Sequence, residues 1–590
     1  MFASEKARLK EPHKLHGGRR ARVRPALTSR GTTLRATLLS CLALLWSGLS
    51  LCRCSTPPDT AGDNGNGGAA DFEDGLFRYL DAQQDPVTGL LASYTNRGGL
   101  PQVFVNWLTD NEPAFVYDNA LAALAYLCRA QDHDLDRARQ TLDAFLAIQN
   151  AATGGLPDAV HAETMAPVAT DYGTGNQMWA VLALLKGYHV LGDARYLDAA
   201  VRIGEFVLHQ KNTAGYGGFV LFPGSTIVGT EHNVDAYAGF SQLAREMTVH
   251  GRSADAAKFE AAAAHARIFV ESRFDEVTGK TFTGTDETGV ATNRSPVPED
   301  TQTWTLLALG RMKWRRSYDW LLGRDGLWTR STTCPTLAGV EIRGPSFSDA
   351  DVSEVWFEGL AHAWLAAKLL TDATTPAIAA SPPEQTLRTV QTGAPGADGR
   401  GIVATCDTLE TGFGADFKYY NALHVGATAW AILANRGYNP FWDGPVTGSL
   451  QDHPASSIPW VALETPQAAT FHCRAGNPCS FTVSGASSGV AGQSDRAIYV
   501  LIRPTDPSAG ATFIQLPAAT VQPDGAWTAS AAVGSREYPA QSGDRFEVSA
   551  IVVNEHVDPA HFIVQAVTPQ TIPGLLTVSG ILEATAQVEP

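Results

Sequence analysis

Six times between Asp118 and Trp430 a polar residue opens an Ala/Leu/Trp run with little charge, at intervals of roughly sixty residues. The openings read Asp118-Asn-Ala-Leu-Ala, Gln177-Met-Trp-Ala-Val, Asn233-Val-Asp-Ala-Tyr, Gln302-Thr-Trp-Thr-Leu, Glu358-Gly-Leu-Ala-His and Gly426-Ala-Thr-Ala-Trp. Runs apolar on every side predict buried helices rather than surface ones. Between them the pattern changes to one apolar and one charged face, predicting outer helices at about 71–83, 135–150, 194–210, 254–273, 314–323 and 383–391. Six inner and six outer helices closing on themselves make a mainly α protein, an (α/α)6 barrel. One turn recurs after these segments, in Asp85-Pro-Val-Thr-Gly, Ala151-Ala-Thr-Gly-Gly, Asp275-Glu-Val-Thr-Gly and Thr408-Leu-Glu-Thr-Gly. Its glycine supplies the positive φ of a tight turn, so a single unit is repeated.

From about Ser456 the helical runs give way to alternating segments such as Ala497-Ile-Tyr-Val-Leu-Ile-Arg and Phe546-Glu-Val-Ser-Ala-Ile-Val-Val. They predict an immunoglobulin-like β-sandwich over 456–590, read as a spacer or accessory module, with a sugar-binding module as the alternative. The barrel then occupies 71–445. Ahead of it, eleven Lys/Arg surround an apolar stretch from Ala36 to Leu51, the pattern of an export signal over 1–54. Cys52 and Cys54 follow, then a polar tether over 55–70. That order resembles a bacterial lipoprotein signal, in which Cys52 would carry the lipid. The expected location is extracytoplasmic: secreted, periplasmic or membrane-anchored in a bacterium.

The net charge of -16 becomes -25 once the basic N-terminal 54 residues are set aside, a surface that repels nucleic acid. In an exported chain Cys473 and Cys479 are close enough to form a disulfide. Cys334 and Cys406 are open to pairing, while Cys128, inside an apolar helix, reads as a buried thiol. No Cys/His spacing suits zinc, and neither metal nor cofactor is expected.

Helix starts converge on one barrel mouth, which brings Asp118, Glu231, Asp300, Glu358 and Glu354 together, with Asp235 one helical turn after Glu231. Carboxylates also serve as ordinary caps at such positions. Here they are interleaved with Trp107, Tyr117, Tyr172, Trp179, Trp304 and Trp356. Acids with aromatics suit sugars, because ring CH faces stack on aromatics and hydroxyls bond to Asp, Asn, Gln and His. Gln177, His232 and Gln302 join that binding set. Glycosidic hydrolysis needs one protonated and one ionised carboxyl group, and crowded like charges produce such a mixed pair. Glu231 is the expected general acid and Asp300 the general base, with Asp118 as the alternative base and Glu358 beside them.

Over residues 71–440 the chain resembles the six-hairpin glycosidase superfamily, through Tyr117-Asp-Asn-Ala-Leu-Ala, Thr230-Glu-His-Asn-Val-Asp-Ala-Tyr, Glu299-Asp-Thr-Gln-Thr-Trp and Ser353-Glu-Val-Trp-Phe-Glu-Gly. The resemblance implies a hydrolase acting on a neutral glycan, with inversion by a water held between two carboxyl groups. It also admits polysaccharide lyases and sugar epimerases. A lyase needs Arg or a metal against a uronate, and only Arg97 and Arg294 stand in the mouth segments. An epimerase would use paired histidines from His232, His362 and His424. A non-enzymatic glycan-binding toroid is the remaining alternative. The chain is expected to act as a monomer, with carbohydrate as partner.

Overall fold

Outside the six inner runs, the amphipathic segments fold as helices whose apolar faces sit on their inner neighbours. The structure is a computed structural model that describes residues 67–589 apart from 97–99, 311, 329–333, 335, 338, 372–375, 415–416, 447–457, 466–469, 475–477, 507–511, 535–539, 555–568 and 573. Residues 1–54, expected as an export signal and including Cys52, residues 55–66 of the expected tether, and Arg97 lie outside the described residues. The outer helices are α1 (Gly67–Gln83), α4 (Asp132–Ile148), α6 (Ala194–Leu208), α8 (Ser253–Glu271), α10 (Met312–Leu322) and α13 (Pro383–Gly393). The inner helices are α3 (Val116–Arg129), α5 (Thr174–Leu191), α7 (Thr230–Val249), α9 (Asp300–Leu309), α11 (Phe357–Leu370) and α14 (Val425–Arg436). Two further helices, α2 (Gln102–Asn111) and α12 (Pro376–Ala380), lie in connections. Helix α1 starts at Gly67, inside the segment expected to be tether.

Each inner helix packs on the next, from α3 through α5, α7, α9 and α11 to α14, and α14 packs back on α3. The ring is closed. In α6 the buried positions Tyr196, Ala199, Ala200, Ile203 and Val207 form one stripe, whereas every residue of α9 is buried. The inner helices other than α7 end in left-handed residues such as Gly192 and Gly437, a cap that satisfies the last carbonyls. The recurring turn packs against the following outer helix. A Cβ on Gly89 would lie 2.6 Å from the Gln140 backbone, and one on Gly154 would lie 2.6 Å from that of Arg202. The Thr411-Gly412 turn departs from this scheme: Gly412 faces Ala350 and Pro296, so it is not a fourth copy.

The C-terminal region is built of strands, with one short 3-10 turn at Pro569–Thr571: β1 (Trp460–Thr465), β2 (Thr470–Arg474), β3 (Cys479–Ser488), β4 (Ala497–Pro504), β5 (Phe513–Gln515), β6 (Thr520–Val521), β7 (Ala526–Val533), β8 (Arg545–Val553), β9 (Leu575–Val578) and β10 (Leu582–Glu589). One sheet has the order β1-β3-β7-β6, the other β2-β10-β8-β4-β5 with β9 beside β8. Both sheets contribute to a shared core that includes Val483, Trp527, Ile498, Val500 and Val548. Strand β4 is apolar without alternation because both of its faces are covered. Ile498, Val500 and Ile502 point into that core, while Tyr499 and Leu501 pack with Ile268 and Phe269 of α8.

Cys473 is disulfide-bonded to Cys479, with Cα atoms 4.9 Å apart, and Cys334 to Cys406 at 5.2 Å. Cys128, expected as a thiol, is disulfide-bonded too: burial in an apolar helix does not distinguish the two states.

Candidate functional site

The amides at the helix starts do structural work. Leu156 N–H donates to Gln177 Oε1 at 2.8 Å and Gln177 Nε2 donates to Leu156 O at 2.7 Å. Asn119 holds Leu91 in the same two-bond manner, Asn233 holds Phe219 and Gln302 holds Thr281. Each amide replaces a missing strand partner for the chain crossing the mouth, which a buried backbone requires. Gln177 and Gln302, both fully buried, therefore have their amides engaged and do not meet sugar hydroxyls. Asn119 is the counterpart of Gln177, so the first helix is one residue out of the expected alignment. That step turns the side chain by about 100° and carries Asp118 away from the clamp.

Glu231 and Asp300, from the starts of α7 and α9, line one cavity of about 440 Å³. His232, Thr285, Asn293, Phe347 and Phe413 share its wall. Asp300 is 3% exposed, and burial, reinforced by the charge of Glu231, holds its carboxyl well above the usual range. Asp235, one turn along α7 and fully buried, is raised by burial and then by Glu231 and Asp300. Burial pushes His232 down to about 4, leaving it neutral. Beneath them Glu299 Oε2 lies 2.9 Å from His362 Nδ1; burial raises the acid and lowers the histidine, so the pair is neutral.

Asp118 and Glu358 meet around His424. Its Nε2 is 3.3 Å from Asp118 Oδ1 and its Nδ1 3.3 Å from Glu358 Oε2. Burial opposes the imidazolium, but the two acids outweigh it and raise His424 to about 10. Tyr117 donates to Glu358 Oε1 at 2.6 Å and accepts from Trp430 Nε1 at 2.8 Å. Tyr94 stacks on His424 with ring centres 4.5 Å apart. Asp118 and Glu358 are 1% and 2% exposed, bound into this network rather than open to the cavity.

Three expected sugar platforms are interior. Tyr117 is enclosed by its hydrogen bonds and the Trp179 edge. Trp304 belongs to a central aromatic column with Trp179, Trp430 and Phe441. Trp356 is buried against Phe347 and Tyr419. Large apolar rings fill the barrel axis because little else has the volume. Trp107 is half-buried on α2, stacked on Phe104, and Tyr172 is half-buried beside Phe206. Glu354, half-buried ahead of α11, is raised to about 7 by burial and then by Asp407 and Asp351. Neither Trp107, Tyr172 nor Glu354 is in the wall of the cavity. Phe347 and Phe413 are, and sequence reasoning passed over them because they sit in aperiodic loops.

Among the described residues, no Lys or Arg lines the cavity. Arg294 is drawn away, 3.3 Å from Glu547 and 3.2 Å from Glu583 of the C-terminal region. Among the described residues, no group of three or more His, Cys, Asp or Glu is disposed to hold a metal ion.

A closed ring of six helical hairpins, with acids gathered where the inner helices begin, decides the fold. It is an (α/α)6 barrel. No protein-family model matches the chain, and no curated protein does. Among solved structures it is similar to a bacterial glucoamylase complexed with acarbose, at 13% identity and a TM-score of 0.44. That match covers 62% of this chain and 56% of the glucoamylase, so the chain spans little more than half of that protein. A family 76 glycoside hydrolase from a bovine Bacteroides thetaiotaomicron strain matches at 10% identity and a TM-score of 0.44, over 63% of this chain and 77% of that one. Cellobiose 2-epimerase from Bacillus thermoamylovorans B4167 matches at 11% identity and a TM-score of 0.41, over 62% and 99%. Fold alone does not give the reaction, which has to be read from the site.

Proposed function

We propose that this protein is an exported glycoside hydrolase acting on a neutral poly- or oligosaccharide, with Asp300 and Glu231 as its acid and base. The observation that carries this reading is that the two carboxyl groups share one cavity at the barrel mouth. Their roles are the reverse of those expected from sequence. Asp300, more deeply buried and facing the charge of Glu231, keeps its proton and gives it to the leaving oxygen. The Glu231 side chain, 17% exposed, is the ionised partner that takes a proton from water. Attack by that water from the opposite face inverts the anomeric centre. Phe347 and Phe413 offer apolar faces to the sugar ring. Asp118 and Glu358, tied to His424, act as supports.

The rival chemistries fit the cavity less well. Among the described residues of the wall a uronate would find no cationic side chain, which argues against a lyase. Of the three histidines considered for epimerisation only His232 lines the cavity, whereas His362 and His424 are enclosed. In the C-terminal region, strand orders β1-β3-β7-β6 and β2-β10-β8-β4-β5 correspond to the A-B-E-D and G-F-C faces of an immunoglobulin-like sandwich, which supports that assignment.

Reducing-end release across a panel of neutral glycans tests the reading. Release by the parent protein, lost in both Glu231→Gln and Asp300→Asn with sugar binding kept, is the expected result. Binding without release in the parent would make the protein a glycan-binding toroid instead.

A further inference from the structure

Residues 272–299 join α8 to α9 and carry one side of the cavity, where Thr283, Thr285, Asp286, Glu287 and Asn293 line it. Within this connector Gly284–Thr285 pairs antiparallel with Thr292–Asn293. Successive side chains of a strand point to opposite faces, so Asn293 lines the cavity while Thr292 reaches outward. Thr292 Oγ1 there donates to Glu547 Oε1, on β8, at 3.1 Å and accepts from Arg273 Nη1 at 2.9 Å. Arg294 Nη2 lies 3.3 Å from the same Glu547 oxygen, and Arg503 donates to the other oxygen through Nε at 3.1 Å and Nη2 at 2.5 Å.

Glu547 is 3% exposed, Arg503 5% and Arg273 fully buried. A carboxylate so placed is tolerated only because guanidinium groups surround it. Two of those groups come from the connector and one from β4. The rest of the connector is fastened to the turn between β9 and β10. Gly580 N–H donates to Glu276 Oε1 at 3.0 Å, and Phe282 and Val297 pack with Ile581. A module that merely trailed the barrel would not need a buried charge network against the outer face of a catalytic wall.

We propose that the C-terminal strand region is a working part of the active site, and that Glu547 is a positioning residue holding hairpin 284–293 against the substrate cavity. Its kinetic consequences rest on the hydrolase reading above; its structural consequence does not. Thr577, which donates to Glu271 Oε2 at 2.6 Å at the same interface but away from the hairpin, provides the control.

The test compares Glu547→Gln, Thr292→Val and Thr577→Val in the full chain by hydrogen exchange of the amides of 284–293. Thr292→Val removes one hydroxyl, with its bonds to Glu547 and Arg273, and leaves the Glu547 charge and its Arg503 bonds in place, so it reads the same link should Glu547→Gln fold poorly. Exchange in the hairpin should rise about tenfold in the first two variants and stay at the parent rate in Thr577→Val. On a hydrolysed glycan, the same two variants should raise KM about fivefold with kcat within about twofold of the parent. Hairpin exchange in Glu547→Gln and Thr292→Val matching that of Thr577→Val would overturn the proposal. A parent protein that hydrolyses no glycan would sink the hydrolase reading and leave the exchange comparison to decide this one.

Discussion

Gln302 grips Thr281 by both of its backbone groups, accepting from the Thr281 N–H at 2.9 Å and donating to its carbonyl at 2.7 Å. The same clamp recurs at Asn119, Gln177 and Asn233, so the repeat is maintained by side-chain amides that imitate a strand partner. Gln302→Ala strands the buried Thr281 N–H, while the Thr281 carbonyl keeps the Thr301 hydroxyl, and should destabilise the protein by about 1–3 kcal/mol, seen as a lower urea midpoint. A change under about 0.5 kcal/mol would show that water replaces the clamp without cost.

As the proposed acid Asp300 must hold a proton, and its raised pKa lets it do so. Activity on unactivated glycans should fall as pH rises through that pKa. Asp300→Asn should lower kcat by roughly 10²–10⁴-fold and erase this alkaline limb. Aryl glycosides with good leaving groups need little protonation and should recover most of the rate in Asp300→Asn. An intact alkaline limb in that variant would transfer the acid role to another residue.

Asp235 binds a proton in the folded state at pH values where the unfolded chain has lost it, because burial and two neighbouring acids raise its pKa. A carboxyl raised in this way makes stability fall as pH rises above the ordinary carboxylate value. Asp235→Asn, permanently neutral, should be more stable than the parent at pH 7, and the gain should vanish near pH 3.8. Denaturant titrations at the two pH values check the sign. Equal stability at pH 7 would mean that Asp235 is stabilised by contacts that prefer the anion.

His424 behaves in the opposite sense. Its cation is favoured in the folded state by Asp118 and Glu358, so its contribution is complete below about 6.5 and fades as pH rises towards 10. The parent protein should lose stability across that window, and His424→Gln should lack that part of the slope. Melting temperatures between pH 6 and 10 for both proteins measure it, and parallel curves would remove His424 as the cause.

The Cys334–Cys406 disulfide spans 72 residues of sequence. Cys334→Ser with Cys406→Ser should cost about 4 kcal/mol by the loop-entropy relation. Comparable urea midpoints for the parent and the double variant would place the link outside the cooperative unit.

Asp118 and Asn119 stand next to each other at the start of α3, and they mark how far sequence could reach. Their apolar context was legible: six uncharged runs can be buried only if they pack on one another, and their spacing left room for one outer helix each. The change to alternating segments near Ser456 was legible for the same reason, since a strand shows its covered faces in its pattern. Which polar residue at each helix start turns inward was not. Adjacent side chains on a helix differ by about 100°, so a one-residue shift exchanges a clamp for a charged network, and only packing sets that register. Sequence offered Trp304 as a stacking ring and passed over Phe347, yet Trp304 fills the barrel axis and Phe347 faces the cavity. The order of protonation within the acid cluster also needed the tertiary structure, because it depends on which carboxyl group is buried deeper. Glu547 was out of reach altogether: its partners Thr292 and Arg294 lie more than 250 positions away, and long-range approach leaves no local trace in a chain.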